Sequence, residues 1–258
     1  MHGIIACSAL HLAYKHPVHR GHYIVSARSH QDHAMGLFQQ AVKNVTKDNC
    51  NAILAFSHLL VVFSLAEERC DENLLLTKAS EAALHPLSDW LFFVRHGCFL
   101  VCDFWDEIER GPLARLAASW ELPMTGDDKI SPQLSRFVLF LSCEGEAEWS
   151  REVCDICSSS ARTLGLAFNS ADVLTDEFTI WDAVRVWPMS LPDEYLILLT
   201  QEHPAALILL AYYCLLLTKL GSLWYIAETP TRILKSIIGR LHHRWHCHIS
   251  NVVDEVMT

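Results

Sequence analysis

The sequence predicts an all-α fold, about ten helices gathered around one buried central helix, and three observations predict it. The longest apolar run, His203–Ile226 (HPAALILLAYYCLLLTKLGSLWYI), has no charged residue between Pro204 and Leu217, so no face of that helix suits water. Upstream, Tyr23, Ala27, His30, Ala34, Leu37, Phe38, Ala41 and Val45 step by threes and fours, with Arg28, Gln31, Asp32 and Lys43 on the other side. No stretch alternates apolar and polar residues as a half-buried strand does, and no fixed-period repeat stands out.

The totals set the frame for these elements. With 258 residues, 51% hydrophobic content, 10 Gly and 9 Pro, the chain can bury a substantial core and has little material for long linkers. One domain over residues 1–258, or two tightly packed halves, is the expectation. A net charge of −10 repels phosphate backbones, so direct nucleic-acid binding by this chain is not expected. Ten Cys scattered among helical segments without paired spacing fit reduced thiols, as in the nucleus and cytoplasm.

The elements follow in chain order. Ile4, Ile5, Ser8, Ala9 and Leu12 share a face at helical spacing, and Pro17 closes that first helix. GIIACSALHLAY looks like a signal segment but has no Lys or Arg before it and contains His11, so it reads as a helix. The Tyr23–Val45 helix comes next. Asp48 or Asn49 can cap a helix over Ala52–Leu65, which is apolar nearly all round and ends in Glu67 and Glu68. After the His85-Pro86 break, Ser88 or Asp89 can cap one helix running from Trp90 to Ile108, before Gly111-Pro112.

ELPMTGDDKISP at 121–132 reads as a surface loop. Helices resume at Gln133–Cys143 and Trp149–Leu164, and Asn169 to Asp172 can cap another over Val173–Val186 that Trp187-Pro188 stops. Pro192-Asp193 starts a short helix leading into the central one. That central helix opens on Pro204, where the missing N–H is no loss, and closes at Lys219 and Gly221. Its fourteen residues from Pro204 to Leu217 span about 21 Å. A bilayer core demands about 30 Å, so a core helix is expected there and no transmembrane segment. Thr229-Pro230 then opens a last helix from Arg232 to about Ile249.

Read in order, several segments resemble the regulatory region of fungal zinc-cluster transcription factors, of the sterol uptake regulator type. They are MHGIIACSALHLA at 1–13, the Tyr23–Phe38 helix, NAILAFSHLL at 51–60, DWLFFVRHG at 89–97 with GPLARL at 111–116, WPMSLPDEYLILL at 187–199, HPAALILLAYYCLLL at 203–217 and WYI at 224–226. The resemblance implies an all-helical sensor domain that binds a sterol-like hydrophobic molecule and controls transcription of lipid or secondary-metabolite genes. The six-cysteine zinc-cluster pattern is missing, so the resemblance implies the sensor part alone, a truncated relative or one trimmed at its start. A homodimer, or a heterodimer with a full-length regulator, is the partner it implies. The expected pocket lies between the 203–220 helix and the helices around 90–108 and 1–14, with Ala206, Leu209, Tyr213, Trp224 and Tyr225 as wall residues. Trp90, Trp105, Trp181 and Trp187 border the apolar segments too, as large apolar walls with a polar handle.

Other constellations point elsewhere. Cys154 and Cys157 with His242, His243, His246, Cys247 and His248 include enough soft ligands for tetrahedral zinc, but on helices the two groups would have to meet and their members face different ways. They read as core thiols and a solvated histidine face, and neither metal nor cofactor is expected. Ser57-His58 and Ser8 with His11 lack the glycine elbow of a serine nucleophile. Asp103, Asp106, Glu107 and Glu109 could hold magnesium diphosphate, but no second acidic motif follows. The alternative function is therefore a secondary-metabolite enzyme, a cyclase or pericyclase, folding a polyene or polyketide in the same pocket without acid or base groups.

Overall fold

A computed structural model describes residues 1–67, 89–97, 99–117, 132–143, 145–172 and 179–258. Among them every regular element is helical, so the fold is all-α. The helices are α1 (His2–Lys15), α2 (Arg20–Ala41), α3 (Cys50–Ala66), α4 (Asp89–His96), α5 (Trp105–Glu109) and α6 (Ala114–Ala117), then α7 (Pro132–Cys143), α8 (Gly145–Glu148), α9 (Arg151–Asp172), α10 (Ile180–Ser190), α11 (Asp193–Thr200), α12 (Pro204–Thr218), α13 (Thr229–Arg240) and α14 (Ser250–Met257). They form two compact units: α1–α6 with Leu223–Ile226, and α7–α14. The His85-Pro86 break, positions 121–131 of the expected loop and the Val173 start of one expected helix lie outside the described residues.

In the first unit α1 packs on α2 and α3, and it does so through its small side chains. Gly3, Ala6, Ala9, Leu10 and Ala13 are buried, while Ile4 is 54% exposed and Leu12 41%. This corrects the expected inward face of Ile4, Ile5, Ser8, Ala9 and Leu12, of which only Ala9 is buried. The reason is backbone approach: a Cβ on Gly3 would stand 2.6 Å from Cε2 of Phe56 on α3, so only small residues fit the contact. The helix ends at Lys15, and Pro17 opens a 3-10 turn, Pro17–His19, as a missing N–H allows.

Along α2 the predicted face holds at Ala27 and Ala34, which are buried, but Leu37 is exposed and Val45 lies beyond the helix end. Val45 packs instead with Phe38, Ala41 and Val42 against Cys50, Ile53 and Leu54 of α3. Asn49 stands at the N-cap of α3 without capping it. Its side-chain oxygen accepts from the Thr46 N–H at 2.8 Å and its amide donates to the Asn44 carbonyl at 3.0 Å, so it closes the preceding turn. The single helix expected from Trp90 to Ile108 is broken into α4, a 3-10 stretch over Phe99–Phe104, and α5. Gly97 marks the first break, where a Cβ would meet the Phe93 carbonyl at 2.8 Å and Ser57 Cβ at 3.0 Å.

The second unit is built on α12, which packs against α9, α11, α13 and α14. All of Ala205–Leu217 is buried, as the absence of any polar face requires. Pro204 occupies the first turn, and the His203 ring Nδ1 accepts from the Ala205 N–H at 3.2 Å, a cap the sequence reading did not assign. Among the described residues no single helix is long and apolar enough to cross a membrane; α11 and α12 together would be, but they are bent by 102°.

Four boundaries differ from expectation in this unit. Asn169–Asp172 is the last turn of α9, not a cap. The cap of α10 is Thr179, whose hydroxyl accepts from the Asp182 N–H while the Asp182 carboxylate accepts from the Thr179 N–H at 2.9 Å, a reciprocal capping box. Helix α10 also runs through Pro188 to Ser190 instead of stopping at Trp187-Pro188. Proline removes the N–H that would satisfy the carbonyl four residues back, that of Val184. The Tyr213 hydroxyl donates to this Val184 carbonyl at 2.8 Å, so a side chain of α12 replaces the missing donor. Finally, the helix expected from Arg232 to Ile249 ends at Arg240; a 3-10 stretch, His243–His248, and α14 follow.

Candidate functional site

The five expected wall residues divide between the units. Ala206, Leu209 and Tyr213 lie on α12 in the second unit, and Trp224 and Tyr225 belong to the first. Ala206 and Leu209 have no exposed surface, and the Ala206 carbonyl accepts from the Tyr195 hydroxyl at 2.9 Å. Tyr213 is 1% exposed, its ring rests on Trp187 at 4.7 Å, and its hydroxyl is committed to Val184. Burial holds its phenol pKa well above the ordinary value. Trp224 stacks on His11 of α1 at 4.9 Å and meets Tyr225 edge-on at 5.6 Å. None of the five lines either of the clefts described below.

Several of the other singled-out groups have structural partners. Trp187 donates its indole N–H to the Ser160 carbonyl at 2.9 Å. Cys154 and Cys157 are buried on α9, and burial, with Cys154 adding to it, pushes the Cys157 thiol up to about 12. His246 donates from Nε2 to the Leu241 carbonyl at 2.9 Å, and the His248 ring lies 4.4 Å from Phe140. Ser57 donates to the Ile53 carbonyl and His58 to the Leu54 carbonyl, each along its own helix. Of the acidic cluster, Glu107 pairs with Lys47 and Asp106 lies 3.8 Å from Arg110, so both face cations on the protein surface.

An apolar cleft of about 220 Å³ opens in the first unit where α1, α2 and α3 meet. Leu37, Phe38 and Ala41 of α2 form one wall, and Ala52, Ile53 and Phe56 of α3 form the other. Gly3 and His2 of α1 close one end together with Ala34, and Asn49 supplies a polar edge. Phe38 of α2 and Phe56 of α3 meet there with ring centroids 5.0 Å apart, and Phe56 also stands against Gly3 of α1.

His2 joins this cleft to a group of three imidazoles. Its Nδ1 lies 2.9 Å from Nδ1 of His30, one nitrogen donating and the other accepting, and its ring lies 4.4 Å from that of His33. Desolvation, followed by repulsion from His33, His30 and the amino terminus, holds the His2 imidazole below its ordinary pKa. A second, polar cleft of about 240 Å³ lies further along α2, lined by Arg28, Gln31, Asp32, Phe63 and Glu67. There the Arg28 guanidinium donates to Glu67 at 2.7 Å; the Glu67 side chain is 4% exposed and that of Arg28 55%.

Leu37 and Phe38 belong to the inward face that the spacing along α2 predicts, but that spacing gives neither a role in a cleft, and nothing in the local pattern marks His2, His33, Ala52 or Phe56 as cleft or rim residues. The spacing of His30, Ala34, Phe38 and Ala41 along one stripe of α2 was the available signal, and only the packing of α1 across its end shows what the stripe faces. No protein-family profile, no curated protein and no solved structure matches this chain.

Proposed function

We propose that this chain is a ligand-responsive helical regulatory domain similar to the effector-binding part of fungal zinc-cluster transcription factors, and that it senses a hydrophobic, sterol-like small molecule. The observation that carries the reading is the apolar cleft between α1, α2 and α3, with aromatic and aliphatic walls and one polar end. The ordered series of resembling segments and the all-α fold support it. At about 220 Å³ the cleft falls below the ~300–1,000 Å³ usual for drug-sized ligands, so it holds one end of a sterol or an alkyl chain, not a whole tetracycle. A ligand bound there favours the α1–α2–α3 arrangement over looser ones, and it acts on transcription to the extent that its affinity differs between the two. With a net charge of −10, contact with DNA is left to a partner chain, such as a full-length regulator in the nucleus.

Titration of the purified chain with a fluorescent sterol tests this. Saturable micromolar binding is expected, lost in Ala52→Trp, which fills the cleft from an exposed position, and kept in Leu139→Ser, an exposed site on the second unit. The reading fails if neither sterol nor a plain alkyl probe binds saturably.

A further inference from the structure

Resting on the reading that the chain binds an apolar ligand, we propose that the first-unit cleft takes a lipid acid, its alkyl chain between α2 and α3 and its carboxylate on the imidazoles of His2, His30 and His33. Three features carry this. First, the imidazoles gather at one end of the apolar walls: His2 is itself a lining residue, and the stripe from Ala34 to Ala41 runs away from it for about 10 Å of helix, the reach of a medium-length alkyl chain. Second, apart from the His2–His30 bond, the three rings make no hydrogen bond among the described residues, so donors remain for an outside acceptor. Third, the charges that act on His2 are His33, His30 and the amino terminus, all positive when protonated; among the described residues no acidic side chain lines the cleft, and Asp32, the carboxylate beside His33 in sequence, is exposed and lines the other cleft.

The group is not laid out for a metal, because the Nδ1 atoms of His2 and His30 point at each other instead of at a shared centre. Among the described residues no group of three or more His, Cys, Asp or Glu could hold an ion. An anion suits it better. Desolvation and repulsion hold the His2 imidazole below its ordinary pKa, and a carboxylate beside it relieves that repulsion and favours its protonation. Binding therefore takes up protons, and a lipid acid binds more tightly as pH falls from 8 to 6. An alcohol of the same length, which presents no charge, has no such dependence.

Calorimetric titration of the full chain with decanoate and with decanol, at pH 6 and pH 8, decides the matter. Decanoate is expected to bind about tenfold more tightly at pH 6, and decanol equally at both. His30→Asn/His33→Asn, at one half-buried and one exposed position, should abolish the pH dependence for decanoate and leave decanol binding intact, while Ala52→Trp should block both ligands. Decanoate binding that ignores pH or the histidine substitutions overturns the head-group assignment. If decanol and sterol still bind in that case, the sensor reading stands without it; if none of the three binds, both fall.

Discussion

The two units bury their helices in opposite ways. In the second, α12 has thirteen consecutive buried residues, Ala205–Leu217, and the polar tips around it end on backbone carbonyls: Tyr195 on Ala206, Tyr213 on Val184, Tyr212 on His248. In the first, α1 buries a stripe of Gly and Ala and leaves Ile4, Ile5 and Leu12 toward water. Its neighbours leave an apolar cleft and three imidazoles that share a single hydrogen bond. Tyrosines whose hydroxyls are already committed to backbone carbonyls offer a ligand nothing. The unit with unfilled space and spare donors is where recognition is possible.

The sharpest test of this contrast is to remove the same side chain from each unit. Leu209→Ala, on α12 with no exposed surface, should destabilise the chain by about 2–5 kcal/mol in urea unfolding, because a closed core cannot collapse around the lost volume. Leu37→Ala, on the exposed wall of the cleft, should change stability by less than about 0.5 kcal/mol while weakening ligand binding. Equal costs at the two positions would break the comparison.

Next in size is the proline bypass of α10. Tyr213→Phe leaves the Val184 carbonyl without its side-chain donor in a buried setting and should cost about 1–3 kcal/mol. In a Pro188→Ala background the backbone N–H returns, so the same substitution should cost less, and the double-mutant cycle measures the difference. Strict additivity would show that Tyr213 does not act through Val184.

The smallest effect is a pH dependence, for which each unit supplies one histidine. Burial lowers the His203 pKa, and desolvation with neighbouring imidazoles lowers that of His2. In both, the unfolded chain binds the proton more tightly than the folded one. Stability is therefore full above about pH 6.5 and declines as pH falls through that value toward the lowered folded pKa. His203→Asn, which keeps a capping side chain but does not titrate, should flatten the decline in melting temperature by about 2 °C between pH 7.5 and 5.5. An unchanged slope would show that the α12 cap does not depend on a neutral ring.

Much of the architecture was legible from local pattern. The uncharged run after Pro204, the Pro192 and Thr229-Pro230 starts and the absence of alternation each specify a helix through neighbours close in sequence. Where the reading slipped, the deciding partner was distant. Trp187-Pro188 looks like a stop until Tyr213, 25 residues beyond Pro188, supplies a donor. Ile4 and Ile5 look like core until Phe56 demands a glycine opposite it.

By itself, then, the sequence determined the all-α class, the buried character of α12 and most helix starts, because hydrophobic period and capping act within one or two turns. Tertiary structure alone decided which face of α1 is inward, how α10 survives a proline, and that His2 meets His30 beside an apolar cleft. Those outcomes depend on atoms separated by 28 residues or more in the case of His2–His30 and Tyr213–Val184. Their meeting is set by how the helices fill space, which no local period encodes.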